Sequence, residues 1–166
     1  STVIDYRVFV IASDGDMMEG LSSEVGSLAG HLALDNLIVI YDDNQTTIDG
    51  STDLTLSEDV GSRFEAQGWF VQRVDGHDPT DVRRGLDAAV EEPRRPSLVI
   101  ARTKIGHGAP TKQCTSSCHG APLGPDEVLA AKRAVGWPEQ PFYMPQGVAD
   151  LFAPQVRSNQ QLRRAW

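Results

Sequence analysis

The sequence predicts a three-layer α/β/α domain built on a doubly wound, mainly parallel sheet. Four short apolar runs of strand length alternate with stretches whose apolar residues recur at helical spacing. Such alternation is typical of right-handed β-α-β crossovers, which place helices on both faces of a parallel sheet. The chain has 166 residues, enough for one domain of this kind.

The strands are predicted from their apolar content. Residues 8–12 are apolar without interruption, which is typical of a strand covered on both faces, so we expect this strand in the centre of the sheet. Three further strands are predicted at residues 37–41, 69–74 and 98–101.

A helix is predicted after Glu19, where apolar residues recur at the spacing of one helical face. This stripe is expected to pack on the sheet and consists of Leu21, Val25, Leu28, Ala29 and Leu32. Gly26 and Gly30 lie in the same helix at a cost in helix propensity. We therefore expect each glycine to permit close contact with another element, such as a second subunit.

Later helices are predicted from their end signals. The hydroxyl and carboxyl groups of residues 57–59 suit a helix start. Asp78 followed by Pro79 predicts a second start, and the apolar face of that helix continues until Pro93. A surface helix is predicted at residues 125–135, after a long loop without periodicity.

The predicted domain organisation is one α/β domain at residues 1–136, followed by a proline-containing linker and tail at residues 137–166. Three prolines mark the linker, and the tail has too few apolar residues for a core of its own.

Composition argues against several classes of protein. A net charge of −8 with scattered basic residues argues against a nucleic-acid partner. No apolar run approaches the ~20 residues of a membrane span. With two cysteines and no secretory signal in view, the expected location is the cytoplasm.

Two oxygen-bearing side chains follow neighbouring predicted strands. Asp14 ends the first apolar run and Asn44 follows the second, so parallel pairing would bring both to the sheet edge where α/β sheets bind ligands. A carboxylate and a carboxamide beside the Gly15 turn suit a hard divalent cation that holds a phosphate.

These residues carry a resemblance to a known family. Residues 13–15 with Asn44 are similar to the thiamine-diphosphate motif, a Gly-Asp-Gly with an asparagine roughly thirty residues later. Five blocks resemble transketolase: Met17-Met18-Glu19-Gly20, Ser27-Leu28-Ala29-Gly30, Tyr41-Asp42-Asp43-Asn44, Ile48-Asp49-Gly50 and Cys118-His119-Gly120-Ala121-Pro122-Leu123-Gly124. The resemblance extends from about residue 3 to residue 142.

The resemblance implies two cofactors, thiamine diphosphate and Mg²⁺ (or Ca²⁺). Asp14 and Asn44 match the family's metal ligands, and the backbone carbonyl of Thr46 matches a third. Gly15 matches the position where the backbone approaches the diphosphate, and Ile105 matches a loop that lines the aminopyrimidine.

Two further residues are assigned catalytic roles through the resemblance. His119 matches an active-site histidine near the diphosphate and the substrate carbonyl, with a surface loop histidine as the alternative. Glu19 matches a glutamate in an acidic network at the subunit interface, and its alternative is a simple partner of the helix dipole.

The implied reaction is transfer of a two-carbon ketol group between ketose and aldose phosphates. It requires a pyrimidine-binding domain or subunit, so we expect a homo-oligomer or a split-subunit assembly, with this chain inactive alone. Two other functions remain open: a related enzyme such as dihydroxyacetone synthase, and a non-catalytic cofactor-binding or scaffold module.

Three sequence features complicate this interpretation. Ser13 stands where the family has its first glycine, and Asp16 adds a carboxylate that must point away from the diphosphate or be neutralised. A zinc site is an alternative use of His107, Cys114, Cys118 and His119, although their spacing matches no common zinc pattern.

Overall fold

The computed structural model describes residues 6–166, which contain one four-stranded sheet flanked by helices. The strands are β1 (Val8–Ser13), β2 (Leu37–Asp43), β3 (Phe70–Asp75) and β4 (Ser97–Arg102). The helices are α1 (Asp14–Met18), α2 (Gly20–His31), α3 (Val60–Ala66), α4 (Pro79–Glu91), α5 (Pro125–Ala134) and α6 (Gln146–Ala165). The order in the sheet is β1-β2-β4-β3, and all three neighbouring pairs are parallel. The predicted parallel α/β fold is therefore confirmed.

Both faces of the sheet carry buried side chains, because successive residues of β4 point to opposite faces. Leu98 and Ile100 belong to a cluster on one face, and Val99 and Ala101 to a cluster on the other. The first cluster also contains Met17, Ala29, Tyr41, Val60, Phe64 and Trp69. The second, which includes α4, also contains Ile38, Val74 and Ala89. The sheet is thus the middle of three layers.

Strand β1 lies at the edge of the described sheet, so the prediction of a central strand is wrong. Its side chains are largely uncovered within residues 6–166, and Ile11 is 79% exposed. The crossover helix α4 connects β3 to β4 and packs against those two strands, which are the strands farthest from β1. An apolar run indicates that a strand suits burial, but it does not specify which segment covers it.

Helix α2 packs through a different face from the one predicted. Four of the five residues of the apolar stripe are exposed within the described chain, and Leu21 is 70% exposed. Ala29 is the one stripe residue that is buried, together with Gly26 on the adjacent part of the helix. The indole Nε1 of Trp69 donates a 2.8 Å hydrogen bond to the Gly26 carbonyl, which fixes α2 against the segment after α3. Small residues and one buried hydrogen bond therefore decide how α2 packs.

The two helical glycines allow this close approach. A Cβ atom on Gly30 would lie 1.8 Å from the backbone oxygen of Gln67, and one on Gly26 would lie 2.6 Å from the Gln67 side-chain oxygen. The expected close contact is confirmed, but the neighbour belongs to this chain and not to a second subunit. A leucine at either position would consequently disturb the fold itself.

The short helix α3 holds helices α1 and α2 in place. Arg63 donates one hydrogen bond to the carbonyl of Met17 at 2.8 Å and another to the hydroxyl of Ser23 at 2.7 Å. Helices α1 and α2 are thereby fixed to α3 next to the end of β1. Asp78 caps α4 as predicted, whereas α3 begins at Val60, directly after residues 57–59, and is capped by the carboxylate of Asp59 and not by the Ser57 hydroxyl.

The C-terminal part of the chain contains a helix that the sequence did not predict. Within the tail expected after residue 137, α6 has 20 residues and continues through Pro154. None of its residues is buried, so the helix adds nothing to the core. None of the helices within residues 6–166 is both long and apolar enough to cross a membrane.

Candidate functional site

The candidate site begins where β1 passes into α1. Ser13 has a φ of −124°, which is extended backbone, so a serine causes no strain where the family has a glycine. The carboxylate of Asp16 turns back and accepts hydrogen bonds from the backbone N–H and the hydroxyl of Ser13, at 2.8 and 3.2 Å. Asp16 is therefore engaged in capping α1.

Asp14 is buried, with 1% of its surface exposed. The hydroxyl of Tyr41 donates to its Oδ1 at 2.7 Å, and the backbone N–H of Gln45 donates to its Oδ2 at 3.0 Å. Burial, and secondarily the negative charge of Asp43, raises the pKa of Asp14, although the hydrogen bonds act in the opposite direction. A buried carboxylate with a raised pKa is one that a bound cation would stabilise.

The loop after β2, which carries Asn44 and Thr46, contacts Asp14 through the backbone N–H of Gln45. Gln45 adopts a left-handed backbone with φ of 59°, and this turn directs its N–H at the Asp14 carboxylate. Asn44 uses its side-chain Oδ1 to accept from the Thr46 N–H at 3.0 Å, and its amide group donates to Asp42 at 3.2 Å. Hydrogen bonds at both the oxygen and the nitrogen of the Asn44 carboxamide thus fix its orientation.

Thr46 contributes a backbone carbonyl. The residue is buried, yet its carbonyl oxygen accepts no hydrogen bond from any of residues 6–166. A carbonyl oxygen without a protein partner is free to bond to water, a ligand or an ion. The carboxylate of Asp14, the carboxamide of Asn44 and this carbonyl form an all-oxygen set, which suits Mg²⁺ or Ca²⁺.

Gly15 leaves open space beside this set. A Cβ atom built on Gly15 would meet nothing within 4 Å, so the backbone is accessible to a ligand. The candidate zinc quartet gains no support, because residues 6–166 contain no group of three or more His, Cys, Asp or Glu side chains placed to hold a metal. The oxygen set is therefore the better candidate for a metal.

A cleft of about 1060 Å³ opens beside Asn44 and Thr46. His77 and His107 stack on its wall with ring centres 4.0 Å apart, and His77 accepts a 3.0 Å hydrogen bond from the Lys104 N–H. The sequence alone predicts no chemistry for His77, and for His107 it suggests only the zinc alternative. The signal for His77 was available, since it follows β3 and so lies at the same sheet edge as Asn44.

The other expected site residues are less closely grouped. Ile105 borders a second cleft of about 510 Å³ together with Asn44. Glu19 is an exposed residue between α1 and α2, and His119 is half-buried in the loop after a short 3₁₀ helix. Neither borders a cleft that Asp14, Asn44 or Thr46 lines. The structure thus places Asp14 against the loop that carries Asn44 and Thr46, through the Gln45 N–H, and Ile105 beside Asn44, but it groups neither Glu19 nor His119 with them.

The loop that carries His119 is held by helix α5. Glu127 accepts hydrogen bonds from the backbone N–H groups of Thr111 and Lys112, at 2.7 and 3.1 Å, and from the Thr111 hydroxyl at 3.0 Å. The ammonium group of Lys112 in turn donates to the carbonyl of Leu123 at 2.9 Å. The Thr111 N–H in particular lowers the pKa of Glu127. Both sides of the His119 turn are therefore fixed.

Comparison with known proteins agrees with this description. The family described as transketolase, thiamine diphosphate binding domain, matches residues 1–166. Transketolase 2 of Xanthobacter flavus is 43% identical over 99% of this chain, which covers 24% of that protein. A transketolase of Sinorhizobium medicae is 42% identical over 100% of this chain, again covering 24% of the relative.

Solved structures show the same similarity. The transketolase of Campylobacter jejuni superposes with a TM-score of 0.89 at 37% identity, over 99% of this chain and 26% of that one. A Pichia stipitis transketolase, described as a complex with sedoheptulose 7-phosphate, gives a TM-score of 0.87 at 39% identity, over 98% of this chain and 24% of that one. This chain spans about a quarter of the length of these relatives. It belongs to the transketolase family, in which it corresponds to the thiamine diphosphate-binding domain.

Proposed function

We propose that this chain binds the diphosphate of thiamine diphosphate through a divalent cation held by Asp14, Asn44 and the carbonyl of Thr46. The observation that carries the proposal is the carbonyl of the buried residue Thr46, which accepts no hydrogen bond from residues 6–166 and follows Gln45, whose N–H contacts the buried Asp14 carboxylate. One carboxylate and two neutral oxygens leave a divalent cation with net positive charge. An anionic ligand such as a diphosphate would neutralise the remaining positive charge of the cation.

When bound, the thiazolium ring of the cofactor would supply an electron sink for ketol transfer. The residues of this chain bind and orient it. Gly15 allows the backbone to approach the diphosphate, since nothing lies within 4 Å of its Cβ position. Ile105 supplies an apolar contact for the aminopyrimidine, and His119 faces the substrate carbonyl. The roles of Ile105 and His119 are supported by the family motifs in which they lie.

The proposed reaction moves a two-carbon ketol group between a ketose phosphate and an aldose phosphate, in the cytoplasm. A pyrimidine-binding domain, in the same protein or in a separate subunit, completes the cofactor site. Glu19 lies at that contact, for which its exposed position between α1 and α2 is suited. The two cysteines are free thiols, which agrees with a reducing compartment.

The proposal is tested by assaying ketol transfer from sedoheptulose 7-phosphate to an aldose phosphate. The 166-residue chain alone is expected to show no turnover. Mixed with the remaining three-quarters of a related transketolase, it is expected to approach the roughly 10 per second of ordinary enzymes. An equal mixture containing Asp14→Ala serves as the inactive control. Turnover by the chain alone would contradict the division of labour, and an inactive wild-type mixture would favour a non-catalytic module.

A further inference from the structure

We propose that Tyr41 is a positioning residue that holds the Asp14 carboxylate in one orientation and thereby strengthens Mg²⁺ binding at the cation site more than Ca²⁺ binding. The inference rests on the proposed metal-binding function of Asp14. It assigns a role to a residue that contacts neither the cation nor the cofactor in that proposal.

The contact between the two side chains is buried and specific. Tyr41 is 3% exposed, and its ring packs in the same core cluster as Met17 and Phe64. Strand pairing places Tyr41 opposite Ala12, two residues before Asp14. The phenol oxygen then lies 2.7 Å from Asp14 Oδ1. Because the ring is fixed by the core, its hydroxyl is a fixed point for the carboxylate.

A second donor acts on the other carboxylate oxygen. The backbone N–H of Gln45 lies 3.0 Å from Oδ2, and it comes from the loop after β2 and not from the strand itself. Two donors from two directions prevent the carboxylate from rotating about its Cβ–Cγ bond. Removing the Tyr41 hydroxyl leaves only backbone donors from the loop after β2, so the carboxylate gains rotational freedom while the ring still fills the core.

Rotation of the Asp14 carboxylate should affect Mg²⁺ and Ca²⁺ binding differently. Mg²⁺ demands a near-ideal octahedron with bonds of about 2.1 Å, whereas Ca²⁺ accepts six to eight ligands in flexible geometry, at about 2.3 to 2.6 Å. A loosened Asp14 should therefore weaken Mg²⁺ binding more than Ca²⁺ binding. Outer residues that orient metal ligands typically change affinity by about 10- to 100-fold when they are mutated.

The test is calorimetric titration of Mg²⁺ and of Ca²⁺ into the 166-residue chain with saturating thiamine diphosphate, for wild type and Tyr41→Phe. We expect Mg²⁺ affinity to fall about tenfold or more, Ca²⁺ affinity to fall less, and the Mg²⁺/Ca²⁺ affinity ratio to decrease. Tyr143→Phe is the matched control, because it removes a phenol hydroxyl on a ring that packs against Trp137, and its ratio should stay unchanged.

Each other outcome has a defined meaning. Unchanged Mg²⁺ affinity in Tyr41→Phe, or an equal fall for both cations, overturns the role of Tyr41. No metal-dependent binding by the wild type refutes the proposed function and this inference with it. If Tyr41→Phe does not fold, the test is NMR of the Tyr41 hydroxyl proton in the wild-type chain. This proton should give an exchange-protected resonance whose chemical shift changes more with Mg²⁺ than with Ca²⁺. The absence of that difference overturns the inference.

Discussion

Replacing Gly30 with alanine should destabilise the domain, because α2 approaches the end of α3 more closely than a side chain permits. The added Cβ would lie 1.8 Å from the Gln67 carbonyl oxygen and 2.9 Å from its carbon, whereas real Cβ atoms essentially never come under 3.0 Å. The obstacle is backbone and cannot rotate away. Helix α2 must therefore move away from Gln67 by on the order of 1 Å, which disrupts its close packing on the end of α3.

The size of the effect follows from three contributions. Overpacking of this kind costs about 1–3 kcal/mol. The shift also strains the buried hydrogen bond from Trp69 to the Gly26 carbonyl, and a lost buried partner costs about 1–3 kcal/mol. Alanine recovers about 1 kcal/mol through its better helix propensity. The expected net loss in the free energy of unfolding is about 3 kcal/mol.

Urea unfolding followed by circular dichroism measures this loss. Gly20→Ala in the same helix is the matched control, since its added Cβ meets nothing within 4 Å. The control should be as stable as wild type or more stable by up to about 1 kcal/mol. Equal stability of Gly30→Ala and Gly20→Ala would refute the close approach of α2 to Gln67.

Two further substitutions test local features. Asp59→Ala should cost about 1 kcal/mol at neutral pH, because Asp59 caps α3 through the Ser62 N–H at 2.8 Å. The Ser62 N–H and, secondarily, Arg73 lower the pKa of Asp59 below its ordinary value of 3.8. The stability that Asp59 adds is therefore fully present above pH 3.8 and is lost as the pH falls through the pKa of Asp59 in the folded state. Urea unfolding at neutral and strongly acidic pH checks this, and a difference that persists in acid contradicts it. Gln45→Gly should raise the melting temperature, because Gln45 has φ of 59° and glycine removes up to about 1 kcal/mol of strain. The glycine variant keeps the backbone N–H that donates to Asp14, so calorimetry should find cofactor binding unchanged. A melting temperature below that of the wild type would show that the turn is not strained.

The fold could be predicted from the sequence because strand and helix periods are local signals. Each of the four predicted strands lies within two residues of its observed bounds. What could not be predicted is which segment covers which face. Residues 8–12 read as a buried strand, yet β1 is an edge strand in the described chain. The apolar stripe of α2 read as the packing face, yet Gly26 and Ala29 are the buried residues.

Some features of the candidate site could likewise be predicted from the sequence, and others could not. Asp14 and Asn44 could be predicted, because polar residues that follow neighbouring parallel strands meet at one edge of the sheet. The hydrogen bond from Tyr41 to Asp14 could not, since it depends on strand register and on burial of the ring. The Gln45 contact depends on a left-handed backbone that glutamine seldom adopts, so no propensity indicates it.

The account depends on a cation that joins Asp14 to the diphosphate, and one measurement tests this most directly. Thiamine diphosphate is titrated calorimetrically into the wild-type chain, Asp14→Ala and Asp16→Ala, with Mg²⁺ and with chelator. Asp16 is the control carboxylate, because it is engaged with Ser13. We expect the wild-type chain and Asp16→Ala to bind thiamine diphosphate with Mg²⁺ and not with chelator. We expect Asp14→Ala to bind it under neither condition. Equal affinity with Mg²⁺ and with chelator, or undiminished binding by Asp14→Ala, would contradict it.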